Sequence, residues 1–289
     1  MEIDQISKTA EVAAAVRASH RIFDKEIIFD DPYAICLTSP VWRMICNSRI
    51  LHWLVVRWLM SDLKPVTAQT LSRAVYAESC LGKAINNGVC QYAMLSAGFD
   101  SFALRNRELM NLITVYEFDH YQTQALKKDR LKSICADLPS SLKFYGVDFE
   151  AESLISVLKK SSIDTNAPIF FSWLGTIPYL TQEAISDTLR QIFEFAPEGS
   201  QIVFDYAIPD DLLTESGKHT IEKLRKFTKK RGEPLVSYFD PSMLEALLIR
   251  LGYSVIEHLN VEEQNKRYFE GNADEYRALP STNFILVEI

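Results

Sequence analysis

The sequence is poor in glycine, with 10 residues in 289, which is about half of the usual ~7%. It contains neither a GxGxxG fingerprint nor a GxxxxGK[ST] loop, so nothing in it predicts a pyrophosphate site. The five cysteines form no CxxC pair and their number is odd, which argues against a disulfide framework or a metal site. We therefore expect no metal and a reducing, cytoplasmic location.

Long apolar runs are lacking too. The most apolar stretch, residues 50–60 (ILHWLVVRWLM), includes His52 and Arg57 and covers about half of a bilayer, so no membrane span is expected. The first 21 residues carry scattered charges rather than the apolar segment of a signal peptide. Acidic residues outnumber basic ones by 38 to 31, and the net charge of −7 disfavours a nucleic-acid binder.

The composition is that of one globular domain, with 47% hydrophobic and 24% charged residues. Residues 1–88 are predicted to form a helical cap, which includes a helix over 50–60 and another over 68–85. From residue 89, short apolar runs alternate with amphipathic stretches, the pattern of an α/β doubly wound, Rossmann-like sheet of about seven strands. The predicted strands are 91–95, 113–118, 143–147, 169–173, 201–206, 253–257 and 283–288. The predicted helices of the core are 101–110, 120–135, 150–160, 182–195 and 241–251, and a lid insertion is predicted near 208–238.

Ligands of such sheets bind beyond the carboxyl ends of the strands, so the residues that follow each strand are the candidates. The first strand leads into a turn of small residues, Ser96-Ala97-Gly98, which lets backbone N–H groups approach a ligand. Glu117 and Asp119 end the second strand, where a carboxylate can accept both hydroxyls of a ribose. Each feature alone also fits plain turn geometry or a solvated acid.

After the third strand, Asp148 could bind an adenine amino group while Phe149 packs near the base. Phe149 could equally be a core residue that opens a helix. Three such positions on successive strand ends favour a bound adenosine. Because a pyrophosphate site is missing, we predict S-adenosyl-L-methionine rather than NAD or ATP.

Motifs along nearly the whole chain carry a family resemblance. They are TAEVAAAVRA, DDPYA, SRAVYAES, QYAMLSAGFDSFALR, VYEFDHYQTQALKKDRL, FYGVDFE, FFSWLGTIPYLTQEAISDTL, GSQIVFDYAIP and GEPLVSYFDPSMLEALLIRLGY. In their order and spacing the chain resembles bacterial S-adenosylmethionine-dependent methyltransferases of the leucine carboxyl methyltransferase-like family. That family includes tetracenomycin-type polyketide O-methyltransferases. The resemblance implies a class I methyltransferase fold.

The resemblance also implies roles for particular residues. Arg73 matches the arginine that grips the methionyl carboxylate, a contact that suits a guanidinium fork. Asp119 matches the ribose-binding acid, and Asp148 with Phe149 matches the pair that contacts adenine. Ala97 and Gly98 match the turn under the methionyl group. Arg17 corresponds to a basic residue near the cofactor of eukaryotic relatives.

Two positions depart from the family pattern. Ser96 replaces the usual first glycine of the turn, which would either keep the backbone further from the ligand or add a hydroxyl contact. Leu174 stands before Gly175 where eukaryotic relatives have a cofactor-contacting glutamate. The WLG form resembles bacterial members and argues against protein phosphatase as the substrate.

The predicted reaction is in-line methyl transfer to an oxygen of a small-molecule acceptor. A carboxylate acceptor needs no general base, whereas a hydroxyl acceptor does. His120 is the nearest candidate for a base, but a histidine that opens a helix is more often structural, and we nominate no catalytic residue. Two alternatives stay open: a cofactor-binding protein that methylates nothing, and, less favoured, a nicotinamide-dependent oxidoreductase.

Aromatic residues are the candidates for the acceptor site. Trp42, Trp53 and Trp58 fall in the cap and Tyr206 follows the fifth strand, so they could line a site for a hydrophobic, polyketide-like or carrier-bound acceptor. They could equally be core aromatics, and the helix of Trp53 and Trp58 could be an oligomer or membrane-surface face. The basic run 218–231 is either a solvated lid helix or a patch for an acidic partner. The oligomeric state is not predicted.

Overall fold

The fold is built on one seven-stranded sheet, seen here in a computed structural model that describes residues 8–59, 64–134, 137–148, 152–230 and 232–289. The strand order is β3-β2-β1-β4-β5-β7-β6, with β7 antiparallel to both of its neighbours and the other pairs parallel. The strands are β1 (Gln91–Leu95), β2 (Thr114–Asp119), β3 (Leu142–Gly146), β4 (Ile169–Trp173), β5 (Gln201–Ala207), β6 (Ser254–Leu259) and β7 (Thr282–Glu288).

Helices cover the sheet and form the cap. The cap contains α1 (Lys8–Phe23), α2 (Ala34–Leu37), α3 (Pro40–Cys46), α4 (Arg49–His52), a π-helix (Trp53–Leu59) and α5 (Lys64–Asn86). The core contains α6 (Phe102–Arg105), α7 (Tyr121–Lys132), α8 (Leu154–Lys160), α9 (Gln182–Phe195), α10 (Glu215–Lys229), α11 (Pro241–Leu251) and α12 (Val261–Gln264). No helix in the described ranges combines the length and the apolar character that a membrane span requires.

Alternate residues of each central strand enter two apolar layers. Ala93 and Leu95 of β1 pack in the layer that includes α8, α9 and α11, whereas Tyr92 and Met94 pack in the layer that includes α5. The five residues of β1 and of β4 are all buried, as expected for the centre of a parallel sheet. The chain leaves β1 toward one edge and β4 toward the other, so the sheet reverses its direction of winding between these two strands.

The predicted strands agree with the observed ones, with bounds that differ by at most two residues. The predicted helix 101–110 is wrong: the segment contains the short α6 and a 3₁₀ turn, Leu109–Asn111. Asn106 interrupts it, because its side-chain amide donates to the carbonyl of Phe102 and its backbone leaves the helical region. The predicted helix 50–60 is α4 followed by the π-helix.

The segment 208–238, predicted as a lid, leaves the end of β5 and returns to it, since the N–H of Phe239 donates to the carbonyl of Ala207 at 2.8 Å. It contains a 3₁₀ turn (Asp210–Leu212), α10 and an extended return. The backbone N–H groups of Val236 and Ser237 both donate to the carbonyl of Pro178, at 2.8 and 3.2 Å. These bonds attach the return to the turn that follows β4.

Candidate functional site

A cavity of about 320 Å³ opens at the carboxyl ends of β1 and β4, where the winding of the sheet reverses. Its floor comes from the sheet and from the turns after β1, β2 and β4, and its roof comes from α1 and α5. The lining includes Arg17, Arg73, Ser96, Ala97, Gly98, Asp119, His120, Ser172, Leu174, Gly175, Tyr179 and Glu233. Six of the nine predicted cofactor-binding residues are among them.

The turn after β1 has the backbone that its small residues predict. Both Ser96 and Gly98 have positive φ, at 60° and 52°, a conformation that glycine adopts readily and serine rarely. The departure from the family pattern at Ser96 therefore keeps the left-handed backbone of a glycine. A Cβ at residue 98 would lie 3.2 Å from the Cβ of Ala10 on α1, so this turn packs closely under the roof.

Asp119 ends β2 and lies at the bottom of the cavity. Its Oδ2 accepts a hydrogen bond from the N–H of Gly98 at 2.5 Å, and its Oδ1 accepts one from the N–H of His120 at 2.7 Å. Burial raises the pKa of this carboxyl, while the two backbone donors oppose the shift. The carboxylate thus joins the turn after β1 to the end of β2 and borders the space for a ligand.

Arg73 projects from α5 into the opposite side of the cavity. Its Nη1 lies 3.5 Å from Oδ2 of Asp205, and its side chain is 17% exposed. Gly175 has a φ of 68°, and a Cβ there would overlap the guanidinium of Arg73. The missing side chain at residue 175 therefore makes the room in which Arg73 lies.

Asp205, on β5, is a site residue that the sequence analysis missed. It is fully buried, and it accepts hydrogen bonds from the side chain of Gln69 at 2.7 Å and from the N–H of Gly175 at 2.5 Å. Together with its contact to Arg73, these bonds connect α5, β5 and the turn after β4. An acid within the apolar run IVFDYA was the signal that could have identified it.

Glu117 does not line the cavity, contrary to the prediction that it ends a strand beside the ribose. It is buried, and its carboxylate accepts a 2.6 Å hydrogen bond from Nζ of Lys127, which is buried as well. Burial raises the pKa of Glu117 to about 7, and the charge of Lys127 opposes that shift. A buried charge needs a partner, and this carboxylate finds it on α7 rather than in a ligand.

Asp148 and Phe149 are the two residues that were predicted to contact adenine. Asp148 follows the end of β3, next to Val147, whose N–H donates to the carbonyl of Asp119 at 2.9 Å, yet Asp148 is not among the lining residues. Phe149 lies outside the described residues. Leu174 does line the cavity, with its side chain packed partly against the α5 layer.

Arg17 lies where the resemblance implied, in the wall of the cavity on α1. It is 7% exposed, and its Nε donates to Asp31 at 2.9 Å while its Nη2 donates to the carbonyl of Phe99 at 2.6 Å. Because Phe99 belongs to the segment that follows β1, Arg17 attaches the roof of the cavity to its floor.

The aromatic residues predicted to surround an acceptor are dispersed. Trp42 lines a second cavity, of about 270 Å³, between α1, α5, α10 and the short cap helices. Trp53 and Trp58 are 61% and 66% exposed, so they are neither core nor cavity residues. Tyr206 fits the alternative of a core aromatic: it is fully buried and hydrogen-bonded to His258 at 2.6 Å, because its side chain points from β5 into the core.

Two further residues of the cavity were not predicted. Tyr179 follows β4 and lines the cavity, and burial raises the pKa of its hydroxyl to about 12. Glu233 reaches the cavity from the return of the 208–238 segment. His120 also lines it, but Nδ1 of the ring accepts from the N–H of Gln122 and caps α7, which fits a structural histidine.

Residues 218–229 of the basic run lie in α10. Part of its charge is neutralised by neighbours: Lys218 pairs with Glu215, Lys226 pairs with Glu222, and Arg225 makes a bidentate contact with Asp210. Lys229 and Lys230 in the last turn are exposed.

The sequence and the fold match known proteins. Residues 10–193 match the family model "Leucine carboxyl methyltransferase". The chain is 32% identical, over 99% of its length and 98% of the relative, to the Bacillus subtilis protein named "Putative S-adenosyl-L-methionine-dependent methyltransferase YktD". A Mycobacterium ulcerans protein of the same descriptive name is 25% identical over 70% of this chain and 66% of its own.

Solved structures show the same fold at low sequence identity. A DUF574 family protein from Streptomyces avermitilis superposes with a TM-score of 0.62 at 11% identity, covering 95% of this chain and 96% of its own. A protein from Thermobifida fusca described as a "putative methyltransferase" gives 0.61 at 12% identity, covering 96% and 93%. The prediction of the family from sequence motifs is thus confirmed, and the chain belongs to the leucine carboxyl methyltransferase family.

Proposed function

We propose that this protein transfers a methyl group from S-adenosyl-L-methionine to an oxygen atom, a carboxylate or a hydroxyl, of a small-molecule acceptor. Methyltransferase activity with this cofactor follows from the family. The oxygen acceptor is the further step, and it rests on the family resemblance together with the residues of the cavity. One observation supports binding of the cofactor: the carboxylate of Asp119 and the guanidinium of Arg73 line the same cavity, on opposite sides of a turn of small residues.

The donor set of the cavity fits the cofactor. Asp119 offers two carboxylate oxygens to the two ribose hydroxyls, and Arg73 offers a fork of donors to the methionyl carboxylate. The backbone of the turn at Ser96 and Gly98 has positive φ, and Gly98 lets this turn pack closely under Ala10 of α1 at the wall of the cavity. When bound, S-adenosylmethionine supplies an electrophilic methyl group on a sulfonium sulfur.

The chain's own residues hold, orient and enclose the reactants. Asp205 keeps Arg73 in place through their contact and through its bonds to Gln69 and Gly175. Arg17 holds α1 over the cavity and thereby excludes water, which keeps electrostatic contacts inside strong. Tyr179 lines the cavity, so its hydroxyl can donate a hydrogen bond to an oxygen acceptor.

A substitution at Glu233 can distinguish a hydroxyl acceptor from a carboxylate acceptor. A hydroxyl acceptor needs a base, and the carboxylate of Glu233 is a candidate because it lines the cavity. A carboxylate acceptor needs no base, and a second negative charge nearby would repel it. Glu233→Gln should therefore lower turnover on a hydroxyl acceptor, whereas turnover on a carboxylate acceptor should be unchanged or increased.

The first experiment is calorimetric titration with S-adenosylmethionine and S-adenosylhomocysteine. We expect Asp119→Ala and Arg73→Ala each to weaken binding by about tenfold to a hundredfold, the usual loss for a charge-assisted hydrogen bond. Arg190→Ala, which removes an exposed arginine of α9, is the matched control and should leave affinity unchanged. If Asp119→Ala and Arg73→Ala both bound the cofactor with the affinity of the wild type, the assignment of the site would be contradicted.

The acceptor is then identified with methyl-labelled cofactor and panels of carboxylic acids and of alcohols or phenols. Alkali releases the label from a methyl ester and leaves it on a methyl ether, so the product itself distinguishes the two. Tight cofactor binding with no transfer to any oxygen acceptor, or transfer to nitrogen or sulfur, would overturn the proposed reaction.

A further inference from the structure

The cap presents large apolar side chains to solvent on α3, α4 and the π-helix. They are Val41, Met44, Ile50, Trp53, Leu54 and Trp58, and each is between 45% and 79% exposed. We call these six residues the cap surface. Single exposed apolar residues are ordinary, but six within eighteen positions of one chain segment are not, and such a patch marks an interaction site.

The spacing of these residues puts them on the outer side of their helices. Val41 and Met44 are one turn apart on α3, and Ile50, Trp53 and Leu54 follow the i, i+3, i+4 spacing of one helical face. The inner sides are occupied by other residues: Ile45, Cys46 and His52 are buried. These inner residues make the core contacts of the cap helices, so the cap surface faces solvent.

Between the first and last residues of the cap surface, every charged residue in the sequence is basic. Residues 32–61 contain three arginines, at 43, 49 and 57, and no aspartate or glutamate, although the chain as a whole has a net charge of −7. Arg43 and Arg49 are exposed. The end of α10 approaches the same cap helices, because Phe227 lines the second cavity together with Trp42 and Val56, and the exposed Lys229 and Lys230 follow two and three residues later.

We propose that the cap surface docks on the surface of an anionic lipid bilayer. Exposed tryptophan and aliphatic side chains flanked by arginine and lysine are the chemistry of an interfacial anchor: the apolar groups enter the headgroup region and the cations meet anionic lipid. A second copy of the chain fits less well, since a self-complementary contact would bring two surfaces with the same positive charge together. The segment lies on the membrane surface and does not cross it.

The test is co-sedimentation of the full chain with vesicles of phosphatidylcholine alone and of equal parts phosphatidylcholine and phosphatidylglycerol. We expect binding to the anionic vesicles that decreases as salt increases, accompanied by a blue shift of tryptophan fluorescence. Trp53→Ala should weaken this binding about tenfold, because the variant has no indole side chain to transfer from water into the headgroup region. Arg49→Glu should weaken it to anionic vesicles specifically.

Met243→Ala and Ile249→Ala are matched controls, since these α11 side chains are 71% and 61% exposed but lie outside the cap surface. They should bind vesicles like the wild type. S-Adenosylhomocysteine affinity is measured on every variant, so that failure of the membrane proposal is separate from failure of the proposed function. No binding to anionic vesicles, or equal binding by wild type and Trp53→Ala, would overturn the proposal. So would a dimer seen by analytical ultracentrifugation that Trp53→Ala dissociates.

Discussion

At the scale of single residues, the site depends on one glycine beside one arginine. Gly175 donates its N–H to Asp205, and its missing side chain leaves the space that the Arg73 guanidinium fills. Asp205 is fully buried, so its charge requires the arginine and the polar donors that surround it. The geometry of the arginine is therefore determined by residues that need not touch the ligand.

Gly175→Ala should lower the affinity for S-adenosylmethionine by about tenfold or more, because the new methyl group displaces the Arg73 guanidinium. The positive φ of 68° adds a stability cost of roughly 1–2 kcal/mol. Gly88→Ala is the control, since Gly88 also has a positive φ, of 94°, but nothing lies near its Cβ position. Calorimetry and thermal unfolding measure the two effects, and equal affinity losses in both variants would contradict this account.

At the scale of elements, α1 is one of the two cap helices that roof the cavity, and a buried ion pair attaches it. Arg17 contacts Asp31, which is fully buried and whose Oδ1 also accepts from the N–H groups of Tyr33 and Ala34 at the start of α2. Burial alone would raise the pKa of Asp31, but Arg17 and Arg105 hold it below its usual range.

Arg17→Ala should reduce the free energy of unfolding by about 1.5–3 kcal/mol, the cost of a lost charge-assisted hydrogen bond, since Arg105 and two backbone N–H groups remain near Asp31. Arg21→Ala, one turn further along α1, removes a pair with Asp30 whose side chains are 44% and 63% exposed, and should cost less than about 1 kcal/mol. Urea unfolding of both variants and of the wild type gives the comparison. Similar losses for the two arginines would show that the ion pair does not attach α1.

At the scale of the whole molecule, a buried ion pair joins β2, the neighbour of the edge strand β3, to a helix. Glu117 on β2 and Lys127 on α7 contact each other with both side chains almost fully buried. The pKa of Glu117 is raised to about 7 because burial disfavours its charged form. This pair connects the sheet to a helix, and it couples global stability to pH.

The folded protein keeps the Glu117 proton to a higher pH than the unfolded chain does, since an unperturbed glutamate has a pKa of about 4.3. Stability should therefore decrease as pH rises from about 5 to about 7, by on the order of 2 kcal/mol from this group. Glu117→Gln should lose this part of the pH dependence, whereas Glu194→Gln, at an exposed position of α9, should keep it. Urea unfolding at a series of pH values tests this, and parallel curves for wild type and Glu117→Gln would refute it.

Local pattern was enough to predict the sheet. Strands β1 and β4 have the predicted bounds because a parallel strand buried on both faces is a continuous apolar run bordered by polar turns. The turn Ser96-Ala97-Gly98 and the acid Asp119 were also predictable, because the carboxyl ends of the strands of such a sheet form the ligand site. Helix 101–110 was not, since a side-chain hydrogen bond from Asn106 competes with the helix.

The sequence by itself determined the fold class, the family and the residues at the strand ends, because these depend on the order of residues along short segments. Only the tertiary structure decided that Glu117 pairs with Lys127 and not with a ligand, that Asp205 supports Arg73, and that Tyr206 is buried while Trp53 and Trp58 are exposed. These outcomes depend on which side chains from distant segments meet, and on whether each buried charge finds its partner there.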